Sequence, residues 1–130
     1  MGKVFPYARI ETALTYEMPM GSGAVTVFDE SRDVIDVVYR NTEFLAEESC
    51  GKCTPCREGT DVMMEILGRM SRWEGMEGDI GTLEELAQVM MLSSLCGLGQ
   101  GAPVPILDTL QHFREAYEIR IRQSKHLRSL

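Results

Sequence analysis

Residues 48–60 read E-S-C-G-K-C-T-P-C-R-E-G-T. Three cysteines, Cys50, Cys53 and Cys56, stand three residues apart, and Cys96 is the one other thiol in the chain. Thr54 reads as a helix N-cap and Pro55 as the first helical position, where the missing proline N–H would have had no partner anyway. A helix that begins here places Cys56 in its first turn and leaves Cys50 and Cys53 on the loop leading in. The three sulfurs can then converge in front of free backbone N–H groups and the positive end of the helix dipole. Lys52 and Arg57 add positive charge beside that point. The setting suits a strongly anionic ligand, and Cys96 can supply a fourth thiolate once the chain folds.

The surrounding pattern is helical from Ser31 onward. Val34, Val37, Val38 and Leu45 recur at helical spacing and predict a helix from about Arg32 to Glu47. Met63, Ile66, Leu67, Met70 and Trp73 mark one face of the helix that starts at the cysteines. The acidic, Gly-rich stretch Glu74–Gly81 breaks it. Thr82 with Glu85 reads as a capping box for a third helix, which carries Leu83, Leu86, Ala87 and Met90 on one side and has Cys96 at its end. Pro105 opens a fourth, with Leu107, Leu110, Phe113, Tyr117 and Ile121 toward the core. Four amphipathic helices on short connections predict a mainly α fold, a four-helix bundle over residues 31–123, followed by a frayed polar tail at 124–130. Residues 1–30 differ: Leu14–Glu17 and Ala24–Phe28 are short runs that read as a strand–loop–strand piece, marginal alone and in need of support from the helices or another chain.

Composition narrows the function. The 130 residues carry 44% hydrophobic and 25% charged residues, as one ordinary globular domain does, and the nine methionines read as core filler. A net charge of -7 argues against nucleic acid or an anionic membrane surface as the main partner. No apolar run is long enough to insert in a membrane, and the N-terminus shows no secretory signal, so the expected location is cytoplasmic and the cysteines are expected to be reduced.

Three readings of the cysteines then compete. Structural zinc wants a tetrahedral Cys₄ set, usually built from two C-x₂-C pairs on separate loops, and would make this a zinc-stapled interaction domain. A C-x₂-C-x₂-C tripod with one remote cysteine resembles the ligand set of a cubane [4Fe–4S] cluster, one thiolate per iron. A redox-active C-x-x-C would need neither Cys56 nor Cys96. Other motifs carry less. Gly97-Leu98-Gly99-Gln100-Gly101-Ala102 fits a loose dinucleotide-binding pattern but follows a helix, not a strand, and reads as a tight turn that lets Cys96 approach the site. His112 and His126 read as surface histidines, and Glu47 and Glu48 as a solvated helix end near the thiols.

The same residues resemble a known family. E-S-C-G-K-C-T-P-C-R-E-G, with Cys96 in S-L-C-G-L-G, is similar to the C-terminal iron–sulfur domain of the flavoprotein subunit of NADH dehydrogenases, over roughly residues 14–122. That family includes the NADH-oxidising subunit of respiratory complex I and the diaphorase subunits of NAD-dependent hydrogenases and formate dehydrogenases. L-C-G-L-G-Q-G-A-P-V-P followed by H-F-R-E-A-Y-E looks more like the hydrogenase and formate dehydrogenase branch. The resemblance implies a four-helix bundle holding one [4Fe–4S] cluster on Cys50, Cys53, Cys56 and Cys96, with residues 14–30 as the end of a β-grasp domain. It further implies an electron-transfer module that works with a flavin- and NADH-binding chain and other iron–sulfur subunits. No segment here resembles the family's glycine-rich region for FMN and NADH, so neither FMN nor NAD binding is expected of this chain alone.

Overall fold

The computed structural model describes residues 26–128. Helix α1 spans Val34–Glu47, α2 Thr54–Ser71, α3 Asp79–Ser93, the five-residue α4 Gly97–Gly101, and α5 Val104–Arg128. Four long helices and one short one agree with the mainly α expectation, and no strand occurs among the described residues. The predicted strand at Leu14–Glu17 lies outside them. Of the second predicted strand, residues 26–28 are described, and they are irregular and exposed.

Each helix starts for a local reason. Asp33 caps α1, its Oδ1 accepting the Ile35 N–H at 2.8 Å, so α1 begins two residues later than the apolar pattern suggests. Its buried face is Ile35, Val38 and Thr42; Val34, Val37 and Leu45 are only half-buried. Thr42 reaches the core because its hydroxyl is satisfied by the Val38 carbonyl at 2.9 Å. In α2 the cap is Cys53 rather than Thr54, which moves Thr54 to the first helical position and Pro55 to the second. Proline is still tolerated there, since the N–H groups of the first turn have no helical acceptor. Met63, Ile66, Leu67 and Met70 form the buried face as expected.

Trp73 does not join that face. It lies past the end of α2 at φ 62, and its ring stacks under the Arg120 guanidinium, 3.4 Å from the ring centroid. Arg120, almost wholly buried, also pairs with Asp33, so one side chain ties together the start of α1, the α2–α3 connection and α5.

The predicted capping box is not formed. Helix α3 begins at Asp79 behind Gly78, a full turn before Thr82, whose hydroxyl instead donates to the Gly78 carbonyl at 3.1 Å. Asp79 replaces it as the anchoring acid because it has two donors in reach, the Met76 N–H and the Arg69 guanidinium. Leu83, Ala87 and Met90 then face the core.

The final helix opens at Val104, buries Ile106, Leu110 and Tyr117, and runs past Gln123 to Arg128 rather than fraying. Buried Ser124 shows that this last turn still packs on the body. Its one break is at Phe113, with φ -132 and ψ 31. Eight residues of straight helix rise about 12 Å; the break lies between Thr109 and Tyr117 and lets their hydroxyls meet at 2.7 Å in the core.

The core is continuous across the long helices, from Ile35 and Val38 through Met63, Leu67 and Met70 to Leu83, Met90, Ile106 and Tyr117. It fixes the end of α1, the start of α2 and the segment after α3 relative to one another. Those three places carry the cysteines.

Candidate metal centre

All four cysteines are free thiols, and all four line one cavity of about 120 Å³ together with Glu48, Ser49, Lys52 and Leu98. That volume far exceeds the roughly 10–15 Å³ that a cavity needs to hold a single water. Cys50 and Cys96 are exposed, Cys53 is half-buried, and Cys56 is 5% exposed. A second groove, about 780 Å³, lies along residues 27–40 and has no cysteine, histidine or glutamate on its walls.

Local geometry aims the thiols. Residues Glu48–Lys52 leave α1 in an irregular loop, with Gly51 at φ +69, a conformation that costs a side-chain-bearing residue but not glycine. The Arg57 guanidinium clips this loop from α2, donating to the Gly51 carbonyl at 2.6 Å and pairing with Glu58 at 2.8 Å. Arg57 therefore secures the loop and is not a wall of the cavity, whereas Lys52 is. Cys53 and Cys56 occupy the cap and the third position of α2, the two places that a capping side chain and its backbone partner normally take. The backbone N–H groups of Leu95 and Cys56 hold the Cys53 thiol below the usual cysteine range, outweighing the opposing effect of burial.

On the other side, Cys96 stands at the start of α4, in the residues where the glycine spacing predicts a tight turn. The short helix packs closely because Gly99 lacks a side chain. A Cβ there would lie 2.6 Å from Ser94 Oγ and 2.9 Å from Cys56 Cβ. Gln100 reaches back to the Ser94 carbonyl at 3.0 Å and fixes the approach to Cys96.

The donor set fits an iron–sulfur cluster. Four thiols line one cavity, and four thiolates, one per iron, are what a [4Fe–4S] cluster takes. The Ser94 hydroxyl is buried beside Cys56 without a hydrogen-bond partner, a donor of the kind that sulfurs of such a group can use.

The sequence pattern marks Leu98 and Gly99 only as part of the turn that brings Cys96 in, and does not mark Ser49 or Ser94. Each serine lies within two residues of a cysteine, which is the signal available. Glu48 lines the cavity and Glu47 does not. His112 is half-buried in α5, His126 is exposed, and neither is in the site.

Known proteins share this sequence and fold. Residues 36–120 fit the profile described as the NADH-ubiquinone oxidoreductase-F iron-sulfur binding region. The F-type subunit of NADH-quinone oxidoreductase in Streptomyces coelicolor is 44% identical over 102 residues, 78% of this chain and 23% of that protein. The HndC subunit of the NADP-reducing hydrogenase in Solidesulfovibrio fructosivorans is 40% identical over 106 residues, 82% of this chain and 22% of that protein. The crystal structure of NAD+-reducing [NiFe]-hydrogenase in the H2-reduced state superposes with a TM-score of 0.83 and 34% identity, over 92% of this chain and 21% of that one. A quinone oxidoreductase subunit and a hydrogenase subunit thus occur at similar identity, and the chain spans less than a quarter of the length of either. With the profile running from α1 well into α5 and the thiols gathered at one cavity, the chain belongs to the family of the NADH-ubiquinone oxidoreductase-F iron–sulfur binding region.

Proposed function

We propose that Cys50, Cys53, Cys56 and Cys96 hold one [4Fe–4S] cluster through which electrons pass between a flavin on a partner and the next iron–sulfur centre of an NAD(H)-linked oxidoreductase. The observation that carries this reading is the single cavity lined by all four free thiols in a chain of the iron–sulfur binding family. When bound, the cluster supplies one-electron transfer, whereas hydride chemistry belongs to a flavin.

The protein's own residues do the rest. The α1–α2 loop and the first turn of α2 supply three thiolates, with Cys53 against backbone N–H groups, and the segment after α3 brings in the fourth. The buried side at Cys56 excludes water, while exposed Cys50 and Cys96 leave an edge that a partner can approach. Short distance to that edge is what electron transfer between chains requires. The working location that goes with thiolate ligands kept reduced is the cytoplasm. Among the described residues no helix is long and apolar enough to cross a membrane. Neither FMN nor NADH is held by this chain alone.

The test mixes the anaerobically loaded full chain with NADH, with and without a flavin-bearing NADH dehydrogenase. Bleaching of the visible cluster absorbance with NADH and the flavoprotein together, and none with NADH alone, is the expected result. Reduction by NADH alone would give this chain its own nucleotide site. No reduction in either arm would make the cluster structural.

A further inference from the structure

Cys56 is the buried thiol of the set, and the Ser49 hydroxyl lies at hydrogen-bonding distance from its sulfur. Ser49 Oγ lies 3.3 Å from Cys56 Sγ, and the Gly51 N–H points at the same oxygen from 3.3 Å. The oxygen accepts from Gly51, so its own proton is free to go to the sulfur. A metal-bound thiolate has no proton to give, which fixes the direction: Ser49 donates and Cys56 accepts. We infer that this Gly51–Ser49–Cys56 relay sets the reduction potential of the bound cluster, the Ser49 hydroxyl raising it by stabilising the extra negative charge of the reduced state. The inference rests on the ligand assignment above.

Burial decides why this bond matters more than others at the site. Cys50 and Cys96 face solvent, where water competes for the sulfur and screens charge. Cys56 is almost sealed, so a hydroxyl aimed at it acts in a low-dielectric setting and its donor strength is felt in full. Hydrogen bonds to the sulfurs are among the factors that position a cluster's potential. Ser49 is not one of the assigned ligands, and its hydroxyl lies on Cys56 Sγ, so it acts on the potential through that thiolate.

The test is an EPR-monitored redox titration of the full chain, loaded anaerobically, as parent, Ser49→Ala, Ser49→Thr and Ser49→Val. Threonine and valine share a shape and differ in the hydroxyl, so that pair isolates the proton from the packing. The expected result is a lower midpoint potential in Ser49→Ala and Ser49→Val at unchanged iron content, with Ser49→Thr close to the parent. The resonance Raman iron–cysteine stretches should shift up in the same two variants, because a thiolate that loses a donor binds its iron more strongly. Equal potentials in Ser49→Val and Ser49→Thr would overturn the inference. Loss of the cluster from both Ser49→Ala and Ser49→Val, with Ser49→Thr retaining it, would overturn it too, by assigning the hydroxyl to cluster retention. A parent that binds no iron would defeat the ligand assignment instead.

Discussion

The Arg69 guanidinium grips Asp79 at two points across the α2–α3 connection, Nη2 at 2.5 Å from Oδ1 and Nε at 3.2 Å from Oδ2. Asp79 Oδ2 also accepts the Met76 N–H at 2.8 Å, so one carboxylate closes the connection and starts α3. The hydrogen bond and neighbouring charge hold the Arg69 guanidinium more firmly protonated than usual. Asp79 is buried and Arg69 mostly so. Removing one partner strands the other, at a cost of about 3 kcal/mol, the lower end for buried pairs because Arg69 keeps some access to water. Asp79→Ala should lose that much in urea unfolding, while Glu65→Ala, which removes an exposed partner of the same arginine, should change stability by under about 0.5 kcal/mol.

Gly99 tests the seam beside the site. In Gly99→Ala the new methyl would lie 2.7 Å from Ser94 Cβ and 2.9 Å from Cys56 Cβ, so α4 must shift away from α2. We expect a loss of about 1–3 kcal/mol, typical of overpacking, together with reduced iron content. Gly81→Ala is the contrast. Nothing lies within 4 Å of a Cβ there and the residue is inside α3, so alanine should add about 0.5–1 kcal/mol. Denaturation midpoints and iron assays on the two variants check both signs.

Tyr117 gives the fold a dependence on high pH. Burial pushes its phenol from 10.0 up to about 12, against the Thr109 hydrogen bond, which pulls it down. Between those values the unfolded chain releases the phenolic proton and the folded chain keeps it. Stability from this group is therefore intact below about pH 10 and falls by about 1.4 kcal/mol per pH unit above it. Tyr117→Phe should lose about 1 kcal/mol near neutrality, for the missing hydrogen bond, and show a shallower decline above pH 10. Urea midpoints from about pH 9 to pH 11.5 measure the difference in slope.

The remote thiol links metal to folding. Cys96→Ser should lower cluster occupancy or change its EPR signal, and should reduce the rise in Tm that loading produces, because Cys96 joins the segment after α3 to the start of α2 through the metal. An unchanged signal and an unchanged Tm would take Cys96 out of the site.

Much of the site is legible in sequence because its chemistry is encoded locally. The C-x₂-C-x₂-C spacing, the proline at the start of α2 and the face Met63, Ile66, Leu67 and Met70 are all read within one or two turns of chain. The misplacements arise where a distant partner decides. Thr82 has the form of a cap, but α3 starts at Asp79 because Arg69, ten residues earlier, can neutralise a buried carboxylate. Trp73 continues an apolar stripe, but Arg120 draws it out of the helix into a stacked contact. The apolar pattern of α5 places Leu110 and Tyr117 in the core correctly, but Phe113, where the helix breaks, is only half-buried, and Ile106, off that pattern, is fully buried. Ser49 is invisible for the same reason: a serine beside a cysteine has no pattern of its own until the fold brings the Cys56 sulfur to it.

The central claim is that four thiolates hold a cluster and not a zinc ion. Metal and sulfide analysis of the full chain, purified anaerobically from iron-replete cells, with low-temperature EPR after dithionite reduction, tests it most directly. The account predicts a brown protein with about four irons and about four sulfides per chain and a one-electron signal on reduction. A colourless protein with about one zinc per chain, no iron and no signal would contradict it.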